Sequence, residues 1–117
     1  MGQVKLNLIV IRSGNIEESS IFYQRIGLSF IKHQHGNGLE HFSSELGGIT
    51  FEIYPRTLDT VPTTATRLGF QVTSVDDVFS ELKKYGTSII SHPANSPWGR
   101  RTVVEDPDGH RVELTQI

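Results

Sequence analysis

Two glutamates stand in matching apolar frames, Phe51-Glu52-Ile53 and Val112-Glu113-Leu114, 61 positions apart (52 to 113). On a strand, such a frame turns each carboxylate to the face opposite its apolar neighbours. Two carboxylates brought to one place can hold a divalent cation, or one of them can serve as a general base if its pKa is raised toward neutrality. At 4 Å separation and an effective dielectric of 20 they repel by about 4 kcal/mol. A counter-charge must therefore join them, or one takes up a proton. Two counter-charges are open: a divalent ion, for which an oxygen-rich site suits Mg²⁺ or Mn²⁺ better than a tight zinc site, and the guanidinium of Arg67, which needs no cofactor and offers bidentate hydrogen bonds.

Other residues have weaker chemical claims. The five histidines, His33, His35, His41, His92 and His110, contain no i, i+4 pair of the helical zinc type. His33 and His92 are expected at surface strand ends, and His110, in the turn Asp106-Pro107-Asp108-Gly109, is expected to face solvent. His41 opens a strand and can reach a bound ligand. Trp98, between Pro97 and Gly99, is either a cap over a sheet rim or a flat wall for a conjugated ligand. Phe22 and Tyr23 read as core. Arg100 and Arg101 are too few to imply phosphate binding. The chain has no cysteine, which excludes disulfides, thiolate metal sites and cysteine nucleophiles.

The elements that must position these residues come in two copies. Asn15-Ile16-Glu17-Glu18 opens an apolar-periodic run that stops at Gly27, and Ser74-Val75-Asp76-Asp77 opens another that stops at Gly86; both starts and both stops are 59 apart (15 to 74, 27 to 86). Each run has a capping side chain, acids in its first turn and a closing glycine, which predicts helices over Ile16–Ile26 and Val75–Tyr85. Short β-prone runs follow at Leu28–Ile31 and Thr87–Ile90. Before the helices, Leu6, Leu8 and Val10 alternate with Asn7, Ile9 and Ile11, while Leu68, Phe70 and Val72 alternate with Arg67, Gly69 and Gln71. The wholly apolar sets are expected against the helices, leaving the mixed sets, with Asn7, Arg67 and Gln71, on the other face. In the closing strands Phe51, Ile53, Val112 and Leu114 pack under the helices, and Thr50, Glu52, Tyr54, Arg111, Glu113 and Thr115 point away. Pro55–Thr66, rich in Thr and Pro, reads as a linker.

These readings predict an α+β chain of two tandem βαβββ modules, forming a cupped mixed sheet with helices on the outer face. Residues 1–117 are expected to be one domain: module one at about 3–55, a linker at about 56–65 and module two at about 66–117. At 117 residues, 36% hydrophobic, 21% charged and a formal charge of −2, the composition is that of a globular chain with no basic field for nucleic acid or an anionic membrane. No apolar run reaches the length of a membrane span. Without a charged leader ahead of an apolar core, a cytoplasmic location is expected.

Ile16-Glu17-Glu18-Ser19 with Phe22-Tyr23, Ile26-Gly27-Leu28 and Phe51-Glu52-Ile53-Tyr54 resembles the first half of the vicinal-oxygen-chelate superfamily, which includes glyoxalase I, bleomycin-resistance proteins and extradiol dioxygenases. Pro97-Trp98-Gly99 with Arg101, and Glu105-Asp106-Pro107-Asp108-Gly109-His110-Arg111-Val112-Glu113-Leu114, resembles its second half more specifically. The resemblance implies a cup, usually in a homodimer with two cups, that takes a small-molecule ligand. In metal-bearing members, each module's first and last strands supply ligands. The last-strand positions match Glu52 and Glu113, while the first-strand positions fall on Asn7, a poor ligand, and Arg67, which is none. Two functions follow as expectations. One is a metal-dependent lyase or isomerase like lactoylglutathione lyase, with Ni, Zn, Mn or Mg held by Glu52 and Glu113. The other is a metal-free protein that sequesters a drug or metabolite, contacting it through Asn7, Arg67, His41, Tyr54, Gln71 and Trp98.

Overall fold

The computed structural model describes residues 2–117. The first module runs β1 (Leu8–Ser13), α1 (Ile16–Ile26), β2 (Ile31–His33), β3 (His41–Leu46) and β4 (Ile49–Pro55). The second repeats it as β5 (Leu68–Val72), α2 (Val75–Lys84), β6 (Ser88–Ser96), β7 (Gly99–Glu105) and β8 (Arg111–Gln116). Each module forms a four-stranded mixed sheet, in the orders β1-β4-β3-β2 and β5-β8-β7-β6. In each, the first strand runs parallel to the last, and the other pairs are antiparallel. No helix among the described residues is long and apolar enough to cross a membrane.

Local chemistry accounts for the helix ends. The Asn15 side chain accepts the Glu18 amide at 3.1 Å and Ser74 Oγ accepts that of Asp77 at 3.2 Å, each satisfying one of the orphan donors of a first turn. Tyr85 is the C-cap of α2 rather than its last residue. The first β-prone run joins its sheet only at Ile31; Leu28 instead turns into the core, where it is 7% exposed. Between β3 and β4, Gly47 and Gly48 take φ of 55° and 89°, the left-handed pair that a tight hairpin needs.

One face of β1 is opposite to expectation. Ile9 is partly buried and Ile11 and Ser13 are buried on the helix side, whereas Leu8, Val10 and Arg12 share the face of Glu52. From Leu6 to Ile11 every residue except Asn7 is apolar, so alternation could not choose between the faces. The choice is made further along: Ser13 fits the small space beneath α1, and Arg12 must keep its guanidinium out of it. Strand β5 follows expectation, with Leu68 and Val72 buried and Phe70 packed against the core.

The helix-side faces of both modules share one core. Tyr23, on α1, has its ring centroid 4.9 Å from that of Phe22, 5.1 Å from Phe51 and 5.9 Å from Phe70, so it bridges the two sheets. Its hydroxyl donates to Asp106 Oδ2 at 2.7 Å. Burial first of all, then the Asp106 charge and hydrogen bond, raise the Tyr23 pKa well above its ordinary value, so the phenol stays a donor. Hydrogen bonds to charged groups contribute about 1.5–3 kcal/mol. Tyr23→Phe is expected to lose about that much stability in urea denaturation, and a loss below about 0.5 kcal/mol would show that this bond does not hold the modules together.

Candidate functional site

Strand alternation turns Glu52 and Glu113 away from the shared core, and each carboxylate has its own partner. In module one, β3 and β4 lie antiparallel with Ser43 opposite Glu52, which sets His41 beside Tyr54 on the Glu52 face. The His41 and Tyr54 rings stack at 4.1 Å and 8°. His41 is 1% exposed. Its Nδ1 lies 3.2 Å from the Leu39 carbonyl, which only accepts, so Nδ1 carries a proton. Its Nε2 is 3.3 Å from the Tyr54 hydroxyl and 3.4 Å from Glu52 Oε2. A neutral ring accepts from Tyr54, and a protonated one pairs with Glu52. His33 and His35 extend the stack, with centroids 5.7 and 5.3 Å from that of His41. On the other side the Arg12 guanidinium lies 5.1 Å from the Tyr54 ring centre, within cation–π range.

In module two, Arg101 Nε donates to Glu113 Oε1. Arg101 lies opposite Thr115 in the β7–β8 ladder, and Val103 lies opposite Glu113, so the two charges are diagonal neighbours on one face. Gln71 and Gly69 share that face beside β8, Gly69 being opposite Glu113. Trp98 sits in the turn between β6 and β7 and is 80% exposed, a projecting rim residue rather than a packed cap.

Several expectations change. Asn7 precedes β1 in the parity of Ile9 and Ile11, so it lies off the Glu52 face; its carbonyl accepts the Thr50 amide at 2.8 Å. Arg67 is exposed and forms no ion pair among the described residues; Arg101 pairs with Glu113 instead, and not with Glu52. Counting back from the Asp-Pro-Asp-Gly turn, which sets Glu105 opposite Arg111, would have placed Arg101 beside Glu113, where Arg67 was expected instead. His110 is wholly buried instead of solvent-facing, because the turn folds inward against α1 and the linker. Arg12 was missed through the inverted face of β1.

The metal set of the resembling family does not fit these residues. On the faces of Glu52 and Glu113 the neighbouring first-strand positions are Val10 and Gly69, and neither has a donor atom. Glu113 is already paired with Arg101, and Glu52 lies 3.4 Å from His41 Nε2.

A second polar cluster lies between the modules. Asp106 Oδ1 accepts the backbone amides of Asp108, Gly109 and His110 at 3.0, 3.0 and 2.9 Å. Gly109 takes φ of 100° to close this turn. Burial pushes the Asp106 carboxyl upward, but the neighbouring His110 side chain, the Tyr23 hydroxyl and the His110 amide outweigh it, and its pKa is lowered. Asp106, Asp108 and His110 offer ligand atoms within 4.8 Å of one another, close enough for one ion to touch all three.

Comparison with known proteins places this architecture. Residues 5–114 match the family described as the Glyoxalase/Bleomycin resistance protein/Dioxygenase superfamily. A Mycolicibacterium smegmatis protein, described only as uncharacterized, is 27% identical over 110 residues, covering 94% of this chain and 91% of its own. TnmS3, an antibiotic binding protein from Streptomyces sp. CB03234, superposes with a TM-score of 0.76 at 24% identity, over 99% of this chain and 98% of its own. A glyoxalase/bleomycin resistance protein from the same Streptomyces superposes with a TM-score of 0.72 at 24% identity, over 96% of this chain and all of its own.

The side chains of Arg101 and Glu113 are 33% and 35% exposed, so their pairing is screened by water and contributes at most about 1 kcal/mol. Arg101→Ala is expected to lower stability by no more than that in urea melts, and a loss of several kcal/mol would mean that the pair is structural and not part of an open binding face.

Proposed function

The chain belongs to the glyoxalase/bleomycin resistance protein/dioxygenase superfamily, and on that premise we propose that it binds a small organic molecule in a cup that works without a metal. The observation that carries this reading is the state of the two carboxylates. Glu52 lies against buried His41 and Tyr54, Glu113 is engaged by Arg101, and Val10 and Gly69 stand where further ligands are needed. A lyase of the lactoylglutathione-lyase kind, with Ni, Zn, Mn or Mg on Glu52 and Glu113, would need both carboxylates free and two more donors beside them.

The chemistry of the two faces suits a flat, partly anionic ligand. Module one offers the stacked rings of His41 and Tyr54 with Arg12 beside them and the apolar Leu8 and Val10 next to Glu52. Module two offers Arg101, Arg67 and Gln71, with Trp98 at the rim. Aromatic side chains bind planar groups through their faces, and guanidinium groups recognise carboxylates by paired donors. TnmS3 is by description an antibiotic binding protein, and ligands of that class fit this proposal.

Each cup face is turned away from the shared core, so a single chain leaves both uncovered. Val4, Leu6, Leu8 and Ile31 are 97%, 63%, 49% and 66% exposed. A homodimer in which module one of each copy faces module two of its partner covers this apolar surface and closes two cups. Light scattering at micromolar concentration is expected to return twice the chain mass, and a monomer would contradict the paired-cup arrangement.

Ligand binding is tested with Trp98, the only tryptophan, as reporter. Glycopeptide-like drugs and aromatic metabolites are screened by thermal shift and fluorescence in the presence of EDTA. A saturable hit is expected to stabilise the chain by about 2.7 kcal/mol at a hundredfold excess over its Kd, with affinity unchanged when divalent ions replace EDTA. Affinity that appears only with a divalent ion and vanishes in Glu52→Gln/Glu113→Gln would overturn the metal-free reading.

A further inference from the structure

Three buried side-chain polar atoms among the described residues lack a hydrogen-bond partner: Ser19 Oγ, Asp108 Oδ2 and His110 Nδ1. Two of the three belong to the cluster at the Asp-Pro-Asp-Gly turn. An unpartnered buried polar atom is costly, so two within one turn call for a common cause.

From this coincidence we propose that Asp106, Asp108 and His110 form a divalent transition-metal site, outside the cup and separate from the Glu52 and Glu113 positions. The remaining contacts leave one ligand atom of each residue for the ion. Asp108 Oδ1 accepts the Gly14 amide at 2.7 Å, which orients the carboxylate and leaves Oδ2 unused. Asp106 Oδ1 is occupied by three backbone amides, and Oδ2, which takes the Tyr23 hydroxyl, keeps its second lone pair.

His110 provides the decisive geometry. The imidazole is 0% exposed, and its Nδ1 lies 2.8 Å from Asp106 Oδ2 without making a hydrogen bond of good geometry to it. Its Nε2 lies 2.7 Å from Thr63 Oγ1, which also accepts the Arg12 amide at 3.0 Å. With the proton on Nε2 and donated to Thr63, Nδ1 keeps a free lone pair beside the Asp106 and Asp108 carboxylates. A cation on that lone pair is within reach of both. A ligating histidine whose other N–H is held by an oxygen is the usual support of a metal site.

One imidazole with two carboxylates suits Zn²⁺ or Mn²⁺ rather than a hard, hydrated ion such as Mg²⁺. Asp106 and Asp108 also line a cleft of about 690 Å³ shared with Glu18, Arg25, Tyr85 and Glu105. Water or an anionic small molecule can complete the coordination from that side.

Isothermal titration of the intact chain with Zn²⁺, with Mg²⁺ as control, tests the proposal. One Zn²⁺ per chain is expected. Asp108→Asn, which keeps the acceptor for Gly14, is expected to weaken binding at least tenfold, and Glu52→Gln/Glu113→Gln to leave it unchanged. On the unmodified chain, the ¹⁵N resonance of His110 Nδ1 should move on Zn²⁺ addition. The proposal is overturned by no stoichiometric binding, by full affinity in Asp108→Asn, by loss of affinity in the glutamate variant, or by a shift confined to other histidines. Because ligand binding in the cup is measured in EDTA, failure here leaves that reading standing, and failure there leaves this one standing.

Discussion

A carboxylate buried between two modules is the constraint on which this structure turns. Asp106 is 4% exposed and would be costly to bury alone, by several kcal/mol. It is tolerated because it gathers donors from two parts of the chain, the amides of its own turn and the Tyr23 hydroxyl on α1, beside a His110 ring that is tied to Thr63 in the segment joining the modules. The Tyr23 and Thr63 contacts cross a boundary that duplication alone leaves open. Two modules with the same βαβββ plan can be arranged in several ways, and a buried charge with partners on both sides is satisfied in few of them.

The arrangement has a consequence for the binding faces. Since the helix sides of both sheets meet in one core around Tyr23, Phe51 and Phe70, the opposite faces carry the polar and ring-bearing residues outward. There the strand pleat places Glu52 under His41 and Tyr54, and Glu113 beside Arg101. A shared pattern of last-strand carboxylates is thereby combined with neighbours that differ between the modules, an imidazole and a phenol near Glu52 and a guanidinium at Glu113.

Much of this was legible in the sequence, for identifiable reasons. The 59-residue repeat of capping residue, early acids and closing glycine located both helices within a residue, because caps act through nearest neighbours. The outward placement of Glu52 and Glu113 followed from their apolar frames. What failed depended on distant partners. The nearly uniform apolar run from Leu6 to Ile11 carried no information about its own faces, so Asn7 was placed on the ligand side and Arg12 was overlooked. Arg67 and Arg101 both stand near Glu113 in the plan of module two, and only the β7–β8 register separates them. His110 looked like a solvent-facing turn residue, since nothing local discloses that Thr63, 47 positions earlier in the chain (63 to 110), meets its ring or that Tyr23 holds the turn at Asp106.

Taken together, these contacts divide the chain's polar chemistry into two places: two outward carboxylates that lie against His41 and Arg101, and a turn that holds unpartnered buried ligand atoms. Anomalous diffraction from crystals soaked in MnCl₂ would test that division most directly. A single peak bounded by Asp106, Asp108 and His110, with none at Glu52 or Glu113, is the predicted map. A peak at either glutamate with the turn left empty would contradict it.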